Sequence, residues 1–248
     1  MIYLAACIWL LVAVSMAWGV YCIWGTMIKP RTLDILLFPG TAVAQVGRTV
    51  ALLVTGAKFN PKAVPDKKDA TASEGPVFEP SIPVFGPILT GFVPLAFTIC
   101  AIFAVLTRLG EPVLIAIPHD QITQELPNTL SVFWNQLRGL ITLAERTLDA
   151  LRSADMVNWR FALFTYVFAS LAIRLSPFRG NAAGLFGAIL IAAGGIALIG
   201  TLTTLPADLI QQGWPIFCVT LGMLVLLLIG TLIARGVFAT VRMLAHLQ

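Results

Sequence analysis

Long apolar runs alternate with short charged stretches along this chain, and several runs have the length of membrane helices. The first covers Met1 to Ile28 and stops at Lys29-Pro30-Arg31. About 20 helical residues cross a hydrocarbon core, so this run predicts a retained spanning helix. It has neither a basic stretch in front nor a small-residue cleavage site, and so does not read as a signal peptide. A second run, Leu33 to Ala57, carries Arg48 near its middle. An Arg in hydrocarbon costs on the order of 3 kcal/mol. Together with Pro39-Gly40 near the start, it predicts a broken or re-entrant segment. The third run, Pro83 to Leu106, holds Pro83, Pro87 and Pro94 and predicts a kinked helix. Three further runs close the chain: Trp159 to Leu175, Ala182 to Leu205, and Trp214 to Ala234.

Between these runs lie a polar loop over 58–82 and an insert over 108–158. Inside the insert, Leu130, Phe133, Trp134, Leu137, Leu140, Ile141, Leu148 and Leu151 recur at helical spacing among charged residues. That pattern predicts one amphipathic helix lying at the membrane surface or against a partner. The expected fold class is therefore all-α. It is a polytopic integral membrane protein with about five to six membrane segments plus one amphipathic interfacial helix, in a single domain over residues 1–248.

Composition supports this reading. Of 248 residues, 58% are hydrophobic and 11% charged, whereas a soluble domain carries about a quarter charged residues. The net charge of +4 fits cationic loops on one membrane face rather than a nucleic-acid footprint, since no basic stripe with interleaved aromatics is present. Arg174, Arg179, Arg235 and Arg242 flank the last runs, which predicts a cytoplasmic C-terminus in a bacterial inner membrane.

Candidate chemistry is sparse. Cys7, Cys22, Cys100 and Cys218 all fall in apolar runs without a C-x-x-C pair, and read as small buried hydrophobes. The two histidines, His119 and His246, lie outside the runs, so no histidine-ligated metal or haem is expected within the membrane. Asp34 and Asp208 are the acids closest to apolar runs, both at their ends, so no acid relay for proton or ion transport is expected. No cofactor is predicted. Gly184, Ala188 and Ala192 form a stripe of small residues suited to close helix packing. With Trp134, Leu137 and Ile141 of the amphipathic helix, they are the predicted helix-packing or partner-contact residues.

The run from Phe38 to Lys58 resembles the metal-binding helix of site-2-protease-type intramembrane zinc metallopeptidases, F-P-G-T-x-x-H-E-x-x-H-x-x-A-x-x-x-T-G-A. Phe38, Pro39, Gly40, Thr41, Ala51, Thr55, Gly56 and Ala57 match as they stand. Ala44 stands in place of the first histidine, Gln45 in place of the glutamate and Arg48 in place of the second histidine. A zinc site of this kind needs two imidazoles one turn apart and a carboxylate base, and these three residues supply neither. A looser likeness, to A-P-S-x-x-D-x-x-G, covers the chain near Pro177 and Gly184, where Asn181 occupies the place of the acid.

The resemblance implies a peptidase-like scaffold without the chemistry. The expected role is thus that of a catalytically inactive subunit, structural or accessory, of a larger membrane complex, with other membrane subunits and lipid as partners. The alternatives are a pseudo-protease that binds and regulates transmembrane clients or lipid, or a transporter using unrecognised groups.

Overall fold

The computed structural model of the chain describes residues 2–56, 58–59, 78–79, 85–110, 130–153, 159–176, 186–187, 189–191, 193–194 and 205–246. Apart from one pair of two-residue strands, the ordered elements among them are helices. In chain order they are α1 (Ile2–Met27), α2 (Pro30–Leu36), α3 (Phe38–Val54), β1 (Lys58–Phe59), β2 (Phe78–Glu79), α4 (Phe85–Leu109), α5 (Leu130–Arg138), α6 (Leu140–Ser153), α7 (Trp159–Ile173) and α8 (Leu205–His246). Three of these are long and apolar enough to cross a membrane: α1 over Ala5–Met27, α4 over Ile88–Leu109 and α8 over Gln212–Met243. With the shorter apolar helices α3 and α7, they fit an integral membrane protein.

The breaks between helices follow from residue chemistry. Pro30 occupies the first turn of α2, where its missing N–H is tolerated, and it ends α1 just upstream. Leu37 separates α2 from α3 with φ −95° and ψ 22°, and Pro39 follows in the first turn of α3. Gly56, at φ +60°, closes α3 in the left-handed conformation that glycine adopts without penalty. The polar segment that follows is pinned at its ends, where Lys58 pairs with Glu79 and Phe59 with Phe78 in antiparallel register. The remainder of that loop lies outside the described residues.

The core is formed by residues of α1, α4, α7 and α8, including Trp9, Ala13, Leu106, Phe164, Phe168, Trp214 and Leu224. The Trp9 and Trp214 rings meet edge to face at 6.4 Å. Further along, Gly19 faces Leu228, and the Trp24 indole Nε1 donates a 2.8 Å hydrogen bond to Thr231 Oγ1. Residue numbers rise together in these three pairs, so α1 and α8 run parallel. Two parallel spans require the chain between them to return across the bilayer. Among the described residues, α4 is the other helix long enough to do so.

Three expectations are corrected. Of the four cysteines read as buried, Cys22 and Cys100 are exposed, on the outer faces of α1 and α4. The amphipathic stretch predicted as one helix is two, α5 and α6, divided at Gly139. The periodicity continues across the division because Gly139 N–H still bonds the Asn135 carbonyl at 3.0 Å, and Leu143 N–H bonds the Gly139 carbonyl at 2.8 Å. The closing run predicted over Trp214 to Ala234 is part of a 42-residue helix. The presumed loop with Asp208 forms the start of α8, and Arg235 and Arg242 lie on the same continuous helix.

Helix α6 packs along α8 at Gly222, where an added Cβ would overlap Thr147 Oγ1 and sit 3.2 Å from the Leu143 carbonyl. Gly222→Ala is therefore expected to destabilise the fold by about 1–3 kcal/mol. Thr147→Ala in the same chain should recover part of the loss by removing the hydroxyl. Denaturant unfolding in detergent micelles measures both, and additive losses in the double variant would show that this contact is not what limits the approach of α6.

Candidate functional site

The break between α2 and α3 is held by side-chain hydrogen bonds from α7. Pro39 has no N–H, and the turn at Leu37 leaves the Leu36 carbonyl and the Gly40 N–H outside the regular helical ladder. In hydrocarbon such groups must find protein partners. Helix α7 supplies them. The Tyr166 hydroxyl donates to the Leu36 carbonyl at 2.8 Å. The Gly40 N–H donates to Ser170 Oγ at 2.9 Å, and Ser170 Oγ donates in turn to the Leu37 carbonyl at 3.0 Å. One serine thus serves both sides of the break, from a site 130 residues away in sequence.

Just beyond the C-terminal end of α7, Arg174 Nη2 donates to Asp34 Oδ1 at 2.8 Å. The Arg174 side chain is 8% exposed and that of Asp34 43%. The Arg174 guanidinium also lies 5.2 Å from the centre of the Tyr21 ring. Val20, Tyr21, Leu33, Leu37 and Ile173 form an apolar cluster at this level, so α1, α2 and α7 are joined there by both packing and charge. An ionised pair shielded from water is stabilised by its mutual attraction only when the geometry is close, as it is here.

The α3 helix presents a stripe of small residues to its neighbours: Gly40, Ala44, Gly47 and Ala51 are all buried. A Cβ at Gly40 would overlap the backbone carbonyl of Ser170 on α7. One at Gly47 would come within 2.7 Å of Pro94 Cα on α4. This stripe lets three backbones approach closely. It includes Ala44, which is 2% exposed, whereas Gln45 is exposed and Arg48 half-buried. The residues standing in place of the peptidase ligand triad are therefore divided among a packing face, an outer face and a margin.

No protein-family model, curated protein or solved structure matches this chain. Among the described residues, no three His, Cys, Asp or Glu side chains gather as a metal-ligating group. The flanks of the peptidase-like run have local roles of their own in this fold: Pro39 makes the break, Gly40 permits the close approach to α7, and Gly56 caps the helix.

The other predicted contact residues fall as follows. Gly184, Ala188, Ala192 and Asn181 lie outside the described residues. Trp134 and Ile141 are 52% and 65% exposed, and Leu137 packs partly buried against the core. Helix α6 turns Ala144 and Thr147 inward and Ile141, Glu145, Asp149 and Arg152 outward. Between α1, α5–α6 and α8 there is a cavity of about 390 Å³ bordered by Trp9, Gln136, Arg146, Trp214 and Cys218 among others. A second, apolar cavity of about 290 Å³ lies among Cys7, Leu10, Phe92, Ile99, Ile189 and Phe217. Arg48 borders neither.

The Asp34–Arg174–Tyr21 cluster and the Tyr166–Ser170 clamp are absent from the expectations drawn from sequence. A signal existed for each. Pro39 announces backbone groups in need of outside partners, and an Arg ending an apolar run calls for one of the few acids near such runs.

Proposed function

We propose that this chain is a non-catalytic subunit of a larger membrane complex in a bacterial inner membrane, joined to another subunit through the outer face of α5 and α6. The observation that carries this reading is the depth of α6. It packs against Gly222, within the Gln212–Met243 stretch of α8. By the parallel pairing of α1 with α8, that level corresponds to the middle of the α1 span. At this depth Glu145, Asp149 and Arg152 point outward. Charged side chains within a bilayer face protein or water, because exposure to lipid costs several kcal/mol. Trp134 and Ile141, exposed on the same helix pair, add the aromatic and aliphatic contacts typical of an interface.

The likeness of residues 38–58 to the site-2-protease-type helix supports a peptidase-like ancestry, and Ala44, Gln45 and Arg48 support a scaffold that has lost the reaction. Lys29, Arg31 and Arg235, near the end that α1 and α8 share, favour a cytoplasmic location for that end. The cavity beside Trp9 and Gln136 favours a second reading, in which the chain holds a client segment or lipid without cutting it.

The test is purification in mild detergent with mass measurement of the intact assembly and metal analysis of the same sample. A fixed-ratio complex is expected for the natural chain. Glu145→Lys combined with Asp149→Arg should release the partner while changing the thermal stability of the isolated chain by less than about 1 kcal/mol, since each exchanges one exposed charge for another. A natural chain that purifies alone, or a complex unaffected by the substitutions, would overturn the interface. Stoichiometric zinc would overturn the non-catalytic reading.

A further inference from the structure

We propose that the corner where α1 turns into α2 is a binding site for an anionic phospholipid, with its phosphate held by Lys29, Arg31 and Arg235 and its acyl chains lying against Ile35, Leu36 and Phe38. The argument starts from register. The Trp24 indole bonds Thr231 on the parallel α8. Arg235 lies one turn past Thr231, and Lys29 lies just past the end of α1, which places them in one layer. Arg31 follows in the first turn of α2. All three cations are exposed, and among the described residues none is ion-paired.

From that layer α2 runs back along α1. Leu33 and Leu37 pack against Val20, Tyr21, Trp24 and Ile28, so successive residues of α2 descend toward the hydrocarbon. On its outer side Ile35 is 67% exposed, Leu36 43% and the following Phe38 66%. Cations therefore sit above a bare apolar surface within one short segment. The acid at this corner, Asp34, is already engaged by Arg174, which leaves the corner net positive. A cationic layer above exposed aliphatic and aromatic groups matches the shape and charge of an anionic lipid. It matches a zwitterionic lipid less well, and a soluble anion would leave the apolar part uncovered.

The experiment is competitive retention. The full chain is purified from mixed micelles of phosphatidylglycerol and phosphatidylcholine in equal amounts, and the retained lipids are counted by native mass spectrometry at low and high salt. A preference for phosphatidylglycerol is expected at low salt, about fivefold for each engaged cation, and it should collapse at high salt. Lys29→Gln/Arg31→Gln/Arg235→Gln should abolish the preference, whereas Arg108→Gln/Arg160→Gln should keep it. Ile35→Ser/Phe38→Ser should lower retention of both lipids. Equal retention of the two lipids by the natural chain, a preference that survives high salt, or a preference kept by the triple variant would each overturn the site. Should the triple variant fail to insert, the salt dependence of the natural chain decides the question. These outcomes do not depend on whether a partner subunit is present.

Discussion

Gly40→Val is expected to be the most damaging single substitution in the described part of the chain, with a loss of roughly 3 kcal/mol or more and poor accumulation in the membrane. A Cβ at this position overlaps the Ser170 carbonyl and lies 2.9 Å from Ser170 Oγ. The first of these is a backbone atom, so no rotamer change relieves the overlap. Helices α3 and α7 would have to separate, which would break the 2.9 Å bond from the Gly40 N–H and leave the Leu37 carbonyl with only its bond from the Thr41 N–H. Each buried backbone group left without a partner costs about 1–3 kcal/mol, and no water is at hand in hydrocarbon. Gly230→Ala is the control. A Cβ there meets nothing within 4 Å, and the gain in helix propensity should hold or raise stability by up to about 1 kcal/mol. Both are measured by SDS- or urea-induced unfolding in micelles. Ser170→Ala should not rescue Gly40→Val. If it does, the hydroxyl rather than the backbone sets the limit, and close approach of the helices is not the role of Gly40.

The features readable from sequence were those encoded locally. The α1 run is apolar for longer than a bilayer is thick, so its length alone identifies it. Pro39-Gly40 announces a break because the missing N–H acts wherever the residue sits. The division at Gly139 was hidden because α5 and α6 keep a common amphipathic phase across it, and one glycine in a helical pattern is ordinarily tolerated. The start of α8 is hidden because Asp208, between two apolar runs, looks like part of a connection. Nothing nearby in sequence reveals that the helix simply continues. The stripe Gly40, Ala44, Gly47 and Ala51 could have been seen, with its spacing of four, three and four. It coincides with the peptidase-like run, where Ala44 both lacks a ligand and permits close packing, and only the first is visible against the motif. The clamp was beyond local reading, since Ser170 and Asp34 meet partners 130 or more residues away, and a lone serine or acid at a helix end carries no directional signal.

Removing the acid of the Asp34–Arg174 pair is expected to cost more than removing the base, and the asymmetry follows from exposure. Asp34→Asn keeps the volume but withdraws the carboxylate from a guanidinium whose side chain is only 8% exposed. A buried charge deprived of a counter-charge is penalised by several kcal/mol in the limit. Because the carboxylate itself is 43% exposed, part of its attraction is already screened, and a loss of about 2–3 kcal/mol is expected. Arg174→Met leaves instead a carboxylate that can turn toward water, and an unbranched apolar side chain can still pack toward the Tyr21 ring, so about 1–2 kcal/mol is expected. The double variant should be more stable than Asp34→Asn alone, because no buried cation remains to be compensated. A double-mutant cycle in micelles measures the coupling directly. Equal losses for the two single variants would mean that burial does not govern the pair, and additivity in the double variant would mean that α2 is held to α7 by Leu33, Leu37 and the Ser170 clamp without help from the charges.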